Sequence, residues 1–433
     1  MRFFPAAHRF QPWAIVIVAM LFYAFNYLLR TSPSAMMQPL LVQFHIDAAA
    51  FGSLAACYYY IYTPMQIPVG LMVDRYPVRW ILAIASVISV VGLLLFTVAD
   101  RFWIACGGRL LIGFGCAFAY ISVIKLAAQW LPANRFATAA GLTTAFGMLA
   151  GAGSGIYLTE AVHHYGYQEA LRSIFLLGLV VVGLLFLIVR DHVAKSSTGM
   201  NVTTLLRYLR RMLTHRQMWI ISIIACFAYL PASVFLDVWG LPYLVTNHHL
   251  SAHQASWLIS FMFMGWIVAG PTLGLFSDAV RHRRFPLMVT SFGSVLIIFV
   301  LLYAGTLPPG ALAVLLFIFG FCAGAHPLVF SLGRENNATA LAATSTAFIN
   351  TITMLGGVIF QPVVGLLLDQ HHGHFPQAVI TYTPQDFTFA LGVLPICLLL
   401  SLGMTFFIKE THGRPYEESP GFLEEGGAIP KTT

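Results

Sequence analysis

Charge is what this 433-residue sequence has least of. Charged residues make up 9% of it against 58% hydrophobic, a balance that would force a water-soluble globule to expose more apolar surface than such proteins tolerate. The six cysteines (Cys57, Cys106, Cys116, Cys226, Cys322, Cys397) all fall inside apolar stretches without CxxC spacing. That argues against a disulfide framework or a zinc site and for small packing residues. Acids are absent where they would matter most. No Asp or Glu lies within the first four apolar runs, and Glu160 sits at the end of the fifth.

What is abundant is apolar length. About twelve runs reach the roughly 18 to 28 residues that a helix needs to cross a bilayer. They cover 12 to 36, 50 to 72, 80 to 99, 103 to 130, 137 to 161, 172 to 190, 217 to 243, 254 to 276, 285 to 305, 309 to 332, 339 to 368 and 388 to 408. The first has a short basic lead but extends well past a signal peptide's apolar core, and is expected to be a retained helix. Thirty-five Phe and 36 Gly suit helices packed closely in lipid. With the N-terminus inside, fifteen Lys and Arg, among them Arg75, Arg79, Arg135, Arg190, Arg216, Arg281, Arg283, Arg334 and Lys409, fall on the cytoplasmic side, and only Arg101 and Arg172 face out. This asymmetry supports an even helix count with both termini cytoplasmic, and it accounts for the net charge of +7 without a nucleic-acid partner.

The chain also repeats itself. Gly70-Leu71-Met72-Val73-Asp74-Arg75-Tyr76-Pro77-Val78-Arg79 is a charged turn between two apolar runs. A weaker copy 204 positions later keeps Gly274, Asp278 and Arg283. Phe25-Asn26-Tyr27-Leu28 recurs as Phe227-Ala228-Tyr229-Leu230, and Thr144-Ala145-Phe146 as Thr346-Ala347-Phe348, both at an offset of 202. The expected architecture is all-α integral membrane, twelve transmembrane helices in two pseudo-symmetric six-helix bundles. The first bundle would cover 1–190, a cytoplasmic linker 191–216, the second bundle 217–409 and a cytoplasmic tail 410–433.

These two halves, the charged turn after the second run with its degenerate copy after the eighth, Arg109-Leu110-Leu111-Ile112-Gly113 early in the fourth, and a central polar loop together resemble the major facilitator superfamily. Asn26-Tyr27-Leu28-Leu29-Arg30 followed by Tyr58-Tyr59-Tyr60-Ile61-Tyr62-Thr63-Pro64-Met65-Gln66-Ile67-Pro68-Val69-Gly70 is similar to a branch that includes lysosomal dipeptide transporters and related bacterial carriers. The resemblance implies the inner (plasma) membrane of a bacterium, no cofactor, and a monomer. It also implies that the charged turn is a conformational latch. There Asp74 would accept hydrogen bonds from the N-terminus of a neighbouring helix, while Arg75 and Arg79 pair with acidic or carbonyl groups. Pro77 and Val78 depart from the family's usual Gly and base. Arg109 matches the family's helix-four arginine, implying coupling or packing against helix one.

Function depends on which polar groups reach the space between the halves. Tyr23, Asn26, Tyr27 and Arg30 share one face of the first helix. A cation at that depth costs at least about 2.5 kcal/mol unless solvated or paired, so Arg30 is expected to face a wet cavity; a structural pairing with a helix C-terminus or a distant acid is the alternative. Tyr58, Tyr59, Tyr62 and Gln66 form a matching stripe on the second helix, either cavity lining or core aromatics. Sixteen residues along helix four put Arg109 and Lys125 about 160° apart around it and about 24 Å apart along it, so both cannot line one small site. Lys125 binds a substrate carboxylate or snorkels. Asn350 is a further solute contact.

Proton coupling needs a group that changes charge, and Asp237 and His326 are the candidates, although Asp237 could simply end helix seven at the outer surface. Cationic groups outnumber anionic ones within the runs, which points to a carboxylate or dipeptide-like solute neutralising Arg30. A proton-coupled symporter with alternating access is preferred over a drug/proton antiporter, whose Gly-Pro signature is absent from helix five. Two other classes compete: a transport-inactive receptor on the same scaffold, and a membrane enzyme, for which no nucleophile and base occur at membrane depth. Three motifs carry nothing. Gly151-Ala152-Gly153-Ser154-Gly155 lacks the context of a nucleotide fingerprint, His371-His372-Gly373-His374 lies in an expected outer loop without cysteines, and Asn201 and Asn337 fit a glycosylation pattern on the cytoplasmic side.

Overall fold

The computed structural model describes residues 6–191, 210, 212–337, 342–373 and 381–412. Outside the described residues lie most of the expected linker (192–209 and Arg211), the tail from 413 onward, His374, and the side chain of Asp74.

The apolar runs become helices bounded by turn chemistry. In the first half these are α1 (Ala6–Thr31), a 3-10 segment (Ser32–Met36), α2 (Met37–Phe44), α3 (Ala48–Arg75), α4 (Val78–Thr97), α5 (Phe102–Cys116), α6 (Ala119–Trp130), α7 (Ala133–Tyr165) and α8 (Tyr167–Ile188). The second half contains α9 (Arg216–Leu230), a π-helical segment (Pro231–Trp239), α10 (Gly240–Asn247), α11 (Ala252–Val280), α12 (Arg284–Tyr303), α13 (Pro309–Ala323), α14 (Pro327–Glu335), α15 (Ala342–His372), α16 (Pro384–Leu391) and α17 (Val393–Thr405). Asp47 caps α3 by accepting from the Ala50 N–H at 2.8 Å, while Ser251 and Thr383 open α11 and α16 with capping boxes. Pro77 and Pro132 stand immediately before α4 and α7, where a missing N–H costs nothing.

Among the described residues, eleven helical passages combine the length and apolarity needed to cross a bilayer. The twelfth by length is α3, with 28 residues, or about 42 Å. Its four tyrosines and its internal Pro64 and Pro68 make it less apolar than the rest.

Two expectations need correction. The run 103 to 130 is not one helix, because the chain breaks at Ala117 and Phe118, where the Ala117 N–H is shared between the Gly113 and Phe114 carbonyls. The run 309 to 332 breaks likewise at Gly324–His326. An angular separation computed along one continuous helix four therefore does not hold for Arg109 and Lys125. Helix seven also departs from α geometry. From Pro231, which has no N–H to donate, to Trp239 it is π-helical, and all nine residues are buried.

The halves meet along two helix pairs. On α3 and α15 the contacts run Ala48 with Gly365, Gly52 with Gln361, Tyr59 with Gly357 and Gln66 with Asn350. Numbers rise on one helix as they fall on the other, so the two are antiparallel. A methyl group at Gly52 would sit 2.4 Å from the Gln361 carbonyl oxygen, and one at Gly365 would sit 2.1 Å from that of Ala48. Only glycine permits this approach. On α7, Gly151 lies under the Phe263 ring of α11 and Gly147 under Tyr23 and Tyr27 of α1, whereas Gly141, Gly153 and Gly155 face open space.

Candidate functional site

The centre of the molecule is an ion pair across the halves. Arg30 is the penultimate residue of α1, which ends where Pro33 interrupts it. The Ser32 and Ser34 hydroxyls donate back to the Leu29 and Thr31 carbonyls at 2.9 Å each. Asp237 arrives from the π-helical segment. One carboxylate oxygen, Oδ2, accepts from Arg30 Nε at 2.7 Å and from the Tyr59 hydroxyl at 2.7 Å, and it lies in ion-pair contact with Nη2 at 2.7 Å. Arg30 is 7% exposed and Asp237 1%. Arg30 is thus neutralised by an acid 207 positions away rather than held by open water, and Asp237 does not end its helix at the membrane surface.

Aromatic rings enclose the guanidinium. Its Cζ stands 5.1 Å from the Tyr27 ring centre, 5.3 Å from Tyr59 and 5.7 Å from Tyr229, within cation–π range. Nη2 also donates to the Tyr229 hydroxyl at 3.0 Å. The Tyr229 ring packs 4.9 Å from His326 and 5.6 Å from Trp266. His326 stands at the break between α13 and α14, edge-on to Phe330, with Nε2 buried and without a hydrogen-bond partner.

The other expected residues distribute around this centre. Gln66 and Asn350 meet across the halves, the amide of Asn350 donating to Gln66 Oε1 at 2.9 Å. Tyr62 stacks on Tyr58 at 5.2 Å. Asn26 turns away from Arg30; its Oδ1 accepts from the Cys116 thiol at 2.9 Å. Lys125 does not join Arg30, since its ammonium group donates to the Val73 carbonyl near the end of α3.

Arg109 is 1% exposed. It donates to the carbonyls of Leu29 (2.6 Å), Arg30 (3.4 Å) and Ala55 (3.2 Å), and it lies 5.6 Å from the Tyr58 ring. A cation on the last carbonyls of α1 occupies the negative end of that helix dipole.

The charged turns lie together at one end of the molecule, the basic end. Gly70 and Gly274 face open space and Arg75 is exposed. Arg79 donates through Nη2 to the Phe186 carbonyl at 3.0 Å, and its backbone N–H reaches Asp191 at 3.1 Å. In the second half Arg283 pairs with Asp278 at 2.5 Å and Glu335 at 2.9 Å, while Glu410 accepts from the Arg283 and Arg284 N–H groups at 2.9 and 2.8 Å. Burial raises the pKa of Glu410, but backbone donors from Arg283, Arg284, His412 and Thr411 outweigh it and hold the group below its ordinary value.

The sequence profile of the Major Facilitator Superfamily matches residues 19–361. The chain belongs to that superfamily. Among curated proteins it is 32% identical over 108 residues to YybO, described as an uncharacterized transporter, of Bacillus subtilis (strain 168). It is 27% identical over 141 residues to the nitrate/nitrite transporter NrtP of a Picosynechococcus species. These matches cover 25% and 30% of the chain, and only about a quarter of each relative, 25% and 26%. Among solved structures it superposes on a bacterial homolog of the human lysosomal transporter Spinster, with TM-score 0.73 and 14% identity, covering 92% of this chain and 97% of the other. It also superposes on the nucleoside transporter NupG, with TM-score 0.72 and 15% identity over 91% and 98%. At such identities the likeness establishes the fold of this superfamily member.

Tyr229 is the site residue that sequence reasoning passed over, and its signal was present. It is the repeat counterpart of Tyr27, so the two halves bring equivalent tyrosines to one arginine. Asp369 and Tyr382, which bridge the halves far from Arg30, carried no such signal.

Proposed function

We propose that the protein is a secondary carrier for a small anionic or zwitterionic organic solute, a carboxylate or dipeptide-like molecule, moved by alternating access together with a proton. On this reading the two six-helix bundles (1–190 and 217–409), joined by the linker 191–216 and followed by the tail 410–433, rock about the central site. The basic end and both termini face the cytoplasm of a bacterium.

The observation that carries the proposal is the Arg30–Asp237 pair between the halves, with Arg30 Nε and the Tyr59 hydroxyl both donating to Asp237 Oδ2 and Nη2 in ion-pair contact with it. The empty site has no net charge. A carboxylate that entered alone would leave a buried negative charge, which is costly in a low-dielectric interior. If a proton binds Asp237 as the carboxylate takes its place on Arg30 Nε and Nη2, the loaded site is again neutral. For a monoanionic solute, solute and proton are then linked because each relieves the charge that the other creates. Tyr27, Tyr59 and Tyr229 offer hydroxyls and ring faces to the rest of the solute, with the Gln66–Asn350 pair adjoining. The name of NrtP, a transporter of inorganic anions, agrees with an anion pathway.

Asp237 is also the kind of buried acid that a cation exporter uses, so drug/proton antiport is the rival reading. Thermal stability of the purified protein against dipeptides, carboxylates, sugars and organic cations separates them, because a ligand that binds the folded state stabilises it. Stabilisation by carboxylate-bearing solutes that disappears in Arg30→Gln, with proton-driven uptake of the same solutes into liposomes, is expected. Equal stabilisation of both proteins by organic cations would reject the anion site, and binding without uptake would favour a receptor.

A further inference from the structure

The antiparallel register of α3 and α15 places chemistry at both ends of the pair. At the basic end, the register seen higher up brings Asp74, on the last turn of α3, opposite Ala342, the first residue of α15. At the other end the relation is reversed. Asp369, on the last turn of α15, reaches across to the N-terminus of α3, with Oδ1 accepting the Ala48 N–H at 3.1 Å and Oδ2 the Ala49 N–H at 2.7 Å. Tyr382, 4% exposed, bridges the same contact; its hydroxyl accepts from the Ala48 N–H at 2.9 Å and donates to Asp369 Oδ1 at 2.5 Å.

The first N–H groups of a helix have no intrahelical acceptor and carry the positive end of its dipole. In α3 the third of them is satisfied within its own half, by Asp47. The first two are satisfied by groups from the other half. The contact therefore exists only while this end is shut. Three neighbouring features make shutting close: Gly365 against Ala48, Gly52 against Gln361, and the Trp239 indole, which meets Phe51 edge-on and donates to the Gln361 carbonyl at 3.2 Å. At the membrane surface, water can take over the donors when the ends part, so the latch is reversible rather than permanent.

We propose that Asp369, positioned by Tyr382, is the latch that holds the end opposite the charged turns closed, and that its release from the N-terminus of α3 is an obligatory step of the transport cycle. The halves then part and rejoin at this end through a carboxylate on a helix N-terminus.

The test needs no solute, so its failure is separable from failure of the carrier reading. In a full-length chain with the six cysteines replaced, spin labels at exposed Gln43 and Thr306 report the Asp369 end. Labels at exposed Arg135 and Phe285 report the basic end. Asp369→Asn is expected to shift the ratio of closed to open molecules at the first pair by about tenfold or more toward long distances, as expected for loss of a charge-assisted contact. The second pair should shorten in step. Asp369→Glu restores the wild-type distributions, and Tyr382→Phe shifts them in the same direction by less. A purely static cap would lower stability without moving either distribution. Folded Asp369→Asn with both distributions unchanged overturns the proposal. If Asp369→Asn does not fold, Tyr382→Phe decides: a shift supports the latch, and unchanged distances reject it.

Discussion

Replacing Asp237 by Asn keeps the shape of the side chain and removes the charge that neutralises Arg30. In the wild type, Oδ2 accepts one hydrogen bond from the guanidinium Nε and one from Tyr59, with Nη2 in ion-pair contact. In the variant a guanidinium only 7% exposed is left with neutral partners. Breaking one side of a buried pair costs about 3 to 5 kcal/mol, so the solute-free variant should melt well below the wild type. A solute carboxylate, however, no longer competes with Asp237 for Arg30. It should bind the variant more tightly, and at about one hundred times its dissociation constant it returns about 2.7 kcal/mol. Solute stabilisation should therefore exceed that of the wild type and, with the proton acceptor gone, should not change between acidic and alkaline buffer. In liposomes the variant should exchange solute for solute while failing to accumulate it against a pH gradient. The assays are thermal melts with and without solute at two pH values, and counterflow beside proton-driven uptake. An Asp237→Asn protein with unaltered solute-free stability and unaltered pH dependence of binding would refute the competition argument.

Arg109→Met should lower thermal stability by about 3 kcal/mol or more, because the Leu29, Arg30 and Ala55 carbonyls lose their donor inside the bundle. Arg109→Lys, which lacks the planar fork, should recover only part of that in the same melts. The pKa of Glu410 is lower in the folded protein than its ordinary value of 4.5, so its stabilisation is fully present above that value and is lost as the pH falls through the lowered one. Melts from neutral pH downward should accordingly show a smaller acid-induced loss in Glu410→Gln than in the wild type. Gly365→Val sets a branched side chain against the Ala48 carbonyl; solvent accessibility of cysteines placed along α3 should show the Asp369 end held open, with transport lost but the protein still folded.

The passages of the fold were legible because each rests on a local property: apolar length, a proline or capping residue at an end, and the excess of arginine at one surface. The breaks were harder to read. Composition cannot separate Ala117 from an uninterrupted helix, and the π-helical turn after Pro231 depends on packing around all nine of its residues. At the site, the spacing of Tyr27 and Arg30 on one face and of Tyr59 and Tyr62 on another was enough to select the residues facing the halves' interface. What spacing could not supply was partnership. Arg30 and Asp237 are 207 positions apart, and only tertiary packing decides that the acid, rather than water, meets the cation. Lys125 shows the reverse case, since its charge and depth made it a candidate while its ammonium group donates to the Val73 carbonyl.

The positions of the two cross-bundle contacts constrain how a carrier of this design can work. The Arg30–Asp237 pair is nearly sealed, whereas Asp369 meets α3 at a half-buried end where water is at hand. Opening the Asp369 end exchanges protein hydrogen bonds for bonds to water at small net cost. Separating the central pair without replacement strands a charge, which costs several kcal/mol. In the proposed carrier the end contact can therefore set which side is open, and the central pair can make that choice depend on solute and proton. On the proposed reading, rupture of the central pair becomes affordable only when a carboxylate and a proton arrive to occupy its two members. On this reading the empty carrier can reorient with the pair intact, the fully loaded carrier can reorient with both charges matched, and the half-loaded forms, bearing one unmatched buried charge, are the states that the electrostatics hold back.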